Sequence, residues 1–252
     1  MRALLLALAL SIGPALAEES LVTGLSRDDV QITADFTGSD ILVYGAVKRD
    51  SPAPQSLPMD LIVTLEGPSS PVTVRRKERT FGIWVNRAAV DLAELPSYFA
   101  IASSGALDNI LSPDDDLKHQ ISLARRLAVT KVTAESMDSW EFLRATQRIG
   151  IAKGNFVTQQ SGVKLAEDTL FRADFALPAN LTEGDFTVRM FLLRGGRVID
   201  TKEQSIEVRK TGIERQLTNM AHHQPLLYGI LSLLLAAVAG WGASEIFRIW
   251  RR

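Results

Sequence analysis

Between residues 21 and 208 the apolar positions follow two periods. From Leu21 to about Ser104 they alternate with polar ones or gather in short runs, as half-buried and buried strands do. Val30-Gln31-Ile32-Thr33 alternates, Ile41 to Val47 and Leu61 to Leu65 are runs rich in Val, Ile and Leu, and Val72-Thr73-Val74 and Ile83-Trp84-Val85 continue the series. Turn residues separate them: Thr37-Gly38-Ser39, the proline-rich Ser51 to Pro58, Gly67-Pro68 and Gly82. Several short strands at this spacing predict a β-sandwich of immunoglobulin-like type. From Asn155 to Val208 the strand pattern returns. Phe171 to Leu177 alternates strictly, Phe186 to Leu193 follows, and Gly195-Gly196 predicts a hairpin turn. These later strands either complete a sheet with the earlier ones or form a small second unit.

A helical period interrupts at about 113–151. Ser112-Pro113-Asp114-Asp115-Asp116 reads as a helix start, with a capping hydroxyl, a proline in the first turn and acids at the positive end of the dipole. Leu117, Ile121, Ala124 and Ala128 predict an apolar stripe on one helix, widened by Leu123 and Leu127. A second helix is expected from about Ser136 to Arg148, with Trp140, Phe142 and Leu143 as its bulk.

The two ends change the picture. Arg2, the apolar run Leu4 to Ile12 and Ala15-Leu16-Ala17 follow the order of a secretory signal peptide, which sets residues 1–17 apart from the fold. Leu226 to Ala243 carries no charge, Tyr228 and Trp241 sit near its ends, Pro225 stands at its start, and Arg248, Arg251 and Arg252 follow. That predicts one transmembrane helix over 225–247 with a cytoplasmic tail at 248–252. Both ends predict an inner-membrane protein with its bulk in the periplasm. The expected order is thus a β-sandwich region (18–112), a helical insertion (113–154), a second β region (155–210), a linker (211–224) and the membrane helix.

Composition excludes several functions. A net charge of −1 gives no basic surface for nucleic acid. The absence of cysteine excludes thiol nucleophiles, thiolate metal sites and disulfides.

The segments Gly24-Leu25-Ser26, Val30-Gln31-Ile32, Phe36-Thr37-Gly38, Ile41 to Ala46, Gly82-Ile83-Trp84-Val85-Asn86 and Leu95-Pro96-Ser97-Tyr98-Phe99-Ala100-Ile101-Ala102-Ser103-Ser104, with the two terminal segments, resemble the alphaproteobacterial putative transmembrane protein family, Alph_Pro_TM. The resemblance covers nearly the whole chain. It implies architecture and lineage, with an association with sulfite-exporter-like membrane proteins of the TauE/SafE type, and no catalytic residue.

Candidate chemistry is sparse. His119 is the one histidine inside the expected folded part, on the first helix, where a solvated position is expected rather than a hydrolase role. His222-His223 are adjacent and share no helix face, so they read as interfacial. Asp114-Asp115-Asp116 reads as capping rather than a calcium loop. No catalytic residue, cofactor or metal is expected. Arg75, Lys77 and Arg79 would share one strand face, suited to an anion or a partner, or to protecting a sheet edge. Phe81, Trp84, Tyr98 and Phe99 are expected in the core, with an exposed ledge for a partner as the alternative. Ser232, Ala236, Gly240 and Ser244 recur every fourth residue and mark a helix-packing ridge, for a second copy or for a multi-span membrane protein. These features predict a non-enzymatic accessory of a membrane transporter or exporter. The alternative is a binding module for an anion, lipid headgroup or envelope polysaccharide.

Overall fold

The computed structural model describes residues 19–33, 37–49, 57–131, 139–210, 220–221 and 224–250, with the side chains at 139, 227, 242 and 244–250 excepted. The expected signal peptide, most of the linker and the His222-His223 pair lie outside these residues. The protein is mainly β and divides into two compact units, one holding residues 37–208 and the chain up to Val30, the other holding 31–36 and 209–252.

Sheet 1 has the order β1 (Glu19–Leu25), β3 (Ser39–Arg49), β10 (Leu170–Leu177), β9 (Val163–Ala166). Sheet 2 has the order β2 (Asp29–Ile32), β12 (Arg197–Lys210), β11 (Gly184–Arg194), β4 (Met59–Glu66), β7 (Phe99–Ser103), β8 (Phe156–Gln159). The β7–β8 pair is parallel. The later strands complete both sheets. β10 pairs with β3, Phe175 opposite Ile41, and β11 pairs with β4, Phe191 opposite Ile62. The Gly195-Gly196 turn joins β11 to β12 with positive φ at both residues (54° and 83°), the geometry of a tight two-residue hairpin.

Strand faces follow from the pleat. β10 buries every second residue from Phe171 to Leu177 and is a half-exposed strand. β4, β7 and β11 are instead buried on both faces. Ile62, Phe99, Ile101, Phe191 and Leu193 point to a separate cluster with Ile110, Ile121, Leu123, Leu127 and Phe142 from the helices and Val90, Leu92 and Leu95 from a β-hairpin. Sheet 2 is therefore a middle layer, which explains why its strands read as unbroken apolar runs.

The helical stretch corrects the sequence expectation. One long helix with a Leu117-Ile121-Ala124-Ala128 stripe was expected. The chain instead forms α1 (Leu107–Ile110), α2 (Pro113–His119) and α3 (Leu123–Ala128), with Leu117, Ala124 and Ala128 exposed and Ile121, Leu123 and Leu127 buried. The break lies at Gln120, which closes α2 in a left-handed conformation (φ 53°). Side chains then restart the helix. Asp116 accepts from the Ser122 backbone N–H and hydroxyl at 2.7 Å each, and Ser122 caps α3. Ser112 caps α2 as expected, accepting from the Asp115 N–H at 3.2 Å. α4 (Ser139–Ala152) buries Phe142, while Trp140 is exposed.

In the second unit, α5 (Pro225–Trp250) starts at the proline and runs 26 residues, about 39 Å at the α-helical rise. Among the described residues no helix is long and apolar enough to cross a membrane.

Candidate functional site

β5 (Ser69–Thr80) and β6 (Ile83–Pro96) form a two-stranded hairpin of their own. Its base is held by the core. Val72, Val74, Ala88, Val90, Leu92 and Leu95 pack onto the helical side of sheet 2. Pro71 sits where the register shifts between Ser70 and Val72, a bulge that tolerates its missing N–H. A second shift between Arg76 and Lys77 leaves Arg87 as the extra residue on β6. Beyond it, residues 83–87 are all exposed, so the far end of the hairpin stands clear of the body.

The tip is the turn Phe81-Gly82, both residues at positive φ (49° and 86°), between the paired Thr80 and Ile83. That geometry favours Asn-Gly; a bulky side chain there costs of order 1 kcal/mol. Yet Phe81 occupies it, fully exposed at 102%, beside Ile83 at 65% and Trp84 at 68%. The expectation that Phe81 and Trp84 belong to the core is thus corrected, because the hairpin outruns the layer that would cover them. Tyr98 and Phe99 are buried.

The three basic residues singled out in the sequence lie on this hairpin and are exposed. Arg79 is opposite Trp84, and Lys77 is opposite Asn86, so cation and indole share a face near the tip. Arg75 stands lower. It lines an open groove of about 470 Å³ with Val74, Arg76, Trp140, Glu141, Phe142, Arg144, Ala145, Arg148 and Ile149. Arg75 thus lines a groove together with arginines from α4, and Lys77 and Arg79 do not line it. Sequence reasoning missed Arg144 and Arg148. The signal was present: Trp140, Arg144 and Arg148 are four apart on a helix.

In the groove the Arg144 guanidinium lies 4.6 Å from the Trp140 ring centroid, and Arg76 lies 5.9 Å from that of Phe142. Arg76 also reaches Glu141 at 3.5 Å and Glu78 at 3.4 Å. Arg75, Arg144 and Arg148 have no carboxylate at ion-pair distance among the described residues.

Two other charged groups are structural. Glu19 accepts from Arg49 Nε at 2.8 Å and from Arg194 Nε and Nη2 at 2.7 and 2.6 Å, tying β1 and β3 of sheet 1 to β11 of sheet 2. The Arg194 hydrogen bonds hold the Glu19 carboxyl below its ordinary pKa. Arg189 donates to the carbonyls of His119 and Gln120 at 2.9 and 3.3 Å, closing the C-terminus of α2. Burial lowers its pKa.

His119 is half-buried, 6.0 Å ring to ring from Phe191, rather than solvated. Asp115 and Asp116 serve as hydrogen-bond acceptors for Ser112 and Ser122. Among the described residues no group of three or more His, Asp or Glu is placed to hold a metal ion. On α5, Ser232 donates to the Tyr228 carbonyl at 2.9 Å, and a Cβ at Gly240 would meet nothing within 4 Å. Ala236 and Gly240 are exposed, and the Ser244 side chain lies outside the described residues.

No curated protein matches the chain. The family described as putative transmembrane protein, Alph_Pro_TM, matches residues 20–249, which takes in both sheets, the hairpin and nearly all of α5, and the chain belongs to that family.

Proposed function

We propose that this is a membrane-anchored interaction protein, a non-enzymatic accessory of a multi-span membrane protein, with the β5–β6 hairpin as its docking element. The observation that carries the reading is the tip. Phe81, Ile83 and Trp84 are exposed together at the end of a free-standing arm, and Phe81 sits in a turn position that disfavours it. Covering the three side chains with apolar partner surface contributes about 5 kcal/mol, at about 1.5–3 kcal/mol per large side chain. An isolated patch of this kind on a monomer is a mark of an interface.

The anchor rests on the sequence of 225–252 and on the family described as putative transmembrane protein, and not on the described helix, since among the described residues no helix is long and apolar enough to cross a membrane. The run Leu226 to Ala243 is uncharged, its helix begins at Pro225, and arginines follow. The arginine tail supports a cytoplasmic C-terminus, and the pattern of residues 1–17 supports a periplasmic body. The ridge Ser232, Ala236, Gly240, Ser244 offers a close-packing face for the same partner or for a second copy.

Affinity purification of the full chain from gently solubilised membranes tests the reading. Recovery with a stoichiometric multi-span protein, lost in Phe81→Ser/Trp84→Ser, is the expected result. Recovery alone and monomeric contradicts it.

A further inference from the structure

We propose that the groove between β5 and α4 is a binding site for a phosphate-type oxyanion, with Arg75, Arg144 and Arg148 as its ligands and Trp140 as one wall.

Among the described residues β5 is hydrogen-bonded along one edge only, to β6, and α4 packs beside it. The helix presents Trp140, Arg144 and Arg148 at steps of four residues, about 6 Å each. The strand brings Arg75 and Arg76 to the same groove. Four arginines thus line the groove, and Glu141 is the one carboxylate among its described lining residues. That carboxylate already serves Arg76.

Arg76 is paired with Glu141 and Glu78, and the three remaining like charges repel each other, in a chain whose net charge is −1. A solvated helix face has no need to gather them opposite a strand. An oxyanion offsets the repulsion. The planar guanidinium fork matches the geometry of a phosphate with two parallel hydrogen bonds, which a carboxylate-free arginine is able to give in full. The three arginines without a carboxylate partner among the described residues supply the forks. Val74, Phe142, Ala145 and Ile149 form an apolar lining that lowers the local dielectric and strengthens each contact. Arg144 is already aligned by stacking on Trp140, so less side-chain freedom is lost on binding. The groove's volume, about 470 Å³, has room for a phosphate ester or a pyrophosphate.

The site is independent of partner docking, because none of its arginines lies at the hairpin tip. One chemistry serves two sources, a soluble phosphorylated solute or the headgroup of an anionic phospholipid, and two arms of one experiment separate them. In the first arm the full chain in neutral detergent is titrated with inorganic pyrophosphate by calorimetry. In the second, the full chain carries an environment-sensitive dye at Gln147→Cys, beside Arg144 and Arg148, in a sequence with no cysteine of its own. It is placed in nanodiscs of phosphatidylglycerol or of phosphatidylcholine.

Saturable pyrophosphate binding, weakened at least tenfold in Arg144→Gln/Arg148→Gln and only partly in Arg144→Lys/Arg148→Lys, establishes the site for a soluble ligand. A dye shift in phosphatidylglycerol, absent in phosphatidylcholine and in the Gln double variant, establishes it for a headgroup. Neither signal in the wild type, or signals unchanged within twofold in the Gln variant, overturns the proposal. The variants change exposed residues, and an unchanged melting midpoint shows that they fold. Arg148→Glu alone gives a second test of the same loss.

Discussion

Glu19 joins the two sheets, and its replacement tests how the sandwich is held. Its side chain is 3% exposed, and Arg49 and Arg194 are 15% and 11% exposed. Glu19→Gln keeps the shape and removes the charge. Both guanidiniums then lose their counter-charge in a largely dehydrated place, although Arg49 still donates to the Asp168 carbonyl and Arg194 to that of Leu57. Removing one partner of a buried ion pair costs about 3–5 kcal/mol, and the remaining carbonyl contacts place this case near the lower end. For a chain of this size 3 kcal/mol is a fall of roughly 6–12 °C in midpoint. The pH dependence gives a second readout. The folded-state pKa of Glu19 lies below 4.5, because the Arg194 and Arg49 contacts favour the carboxylate. Its contribution is fully present above the unfolded value and is lost as pH falls through the lower folded value. The wild type should therefore lose stability below about pH 4.5 more steeply than Glu19→Gln. Circular-dichroism melts of the full chain in detergent, from pH 3 to 7, measure both. A variant within 1 kcal/mol of wild type, with the same acid slope, refutes the reasoning.

Tyr98 donates to the Ala176 carbonyl at 3.1 Å, and burial pushes its hydroxyl up to about 12. Tyr98→Phe should cost about 1 kcal/mol at neutral pH and lose less than wild type as pH rises from 10 towards 12, since the raised pKa favours folding only while the tyrosine stays protonated. Phe81→Asn should leave the stability unchanged or raise it by up to about 1 kcal/mol, because asparagine suits positive φ, while abolishing partner recovery; a lower stability with recovery intact would falsify the docking role. In Gly150→Ala the new Cβ would lie 2.1 Å from Phe156 Cδ2, so a ring 4% exposed must move. Overpacking of about 1–3 kcal/mol exceeds most of the roughly 1 kcal/mol gained in helix propensity, and denaturant melts should show a net loss.

Strand positions were legible wherever one face meets water, as in Phe171 to Leu177, or where a glycine pair forces a turn, as at Gly195-Gly196. The uncharged run after Pro225 likewise marked a helix. What the pattern left open was set by distant contacts. Whether Phe186 to Leu193 pairs with Leu61 to Leu65 depends on residues more than a hundred positions apart. The break at Gln120 depends on Arg189 from β11, so a local reading of residues 113–128 carried one helix too far. The hairpin was mistaken for short core strands, because Phe81 and Trp84 look alike in sequence whether covered or bare. At the groove, Arg75 was legible as a basic strand residue, but its companions Arg144 and Arg148 belong to an element whose placement no local pattern gives.

A photo-cross-linking residue at Trp84, in the full chain and in native membranes, tests the docking role of the hairpin most directly. One discrete adduct with an integral membrane protein that resists alkaline extraction is expected. It should disappear in Phe81→Ser and be absent when the cross-linker stands at Tyr44 or Ile199, which are exposed on other strands. Equal labelling from all three positions, or no protein adduct at Trp84, contradicts that role.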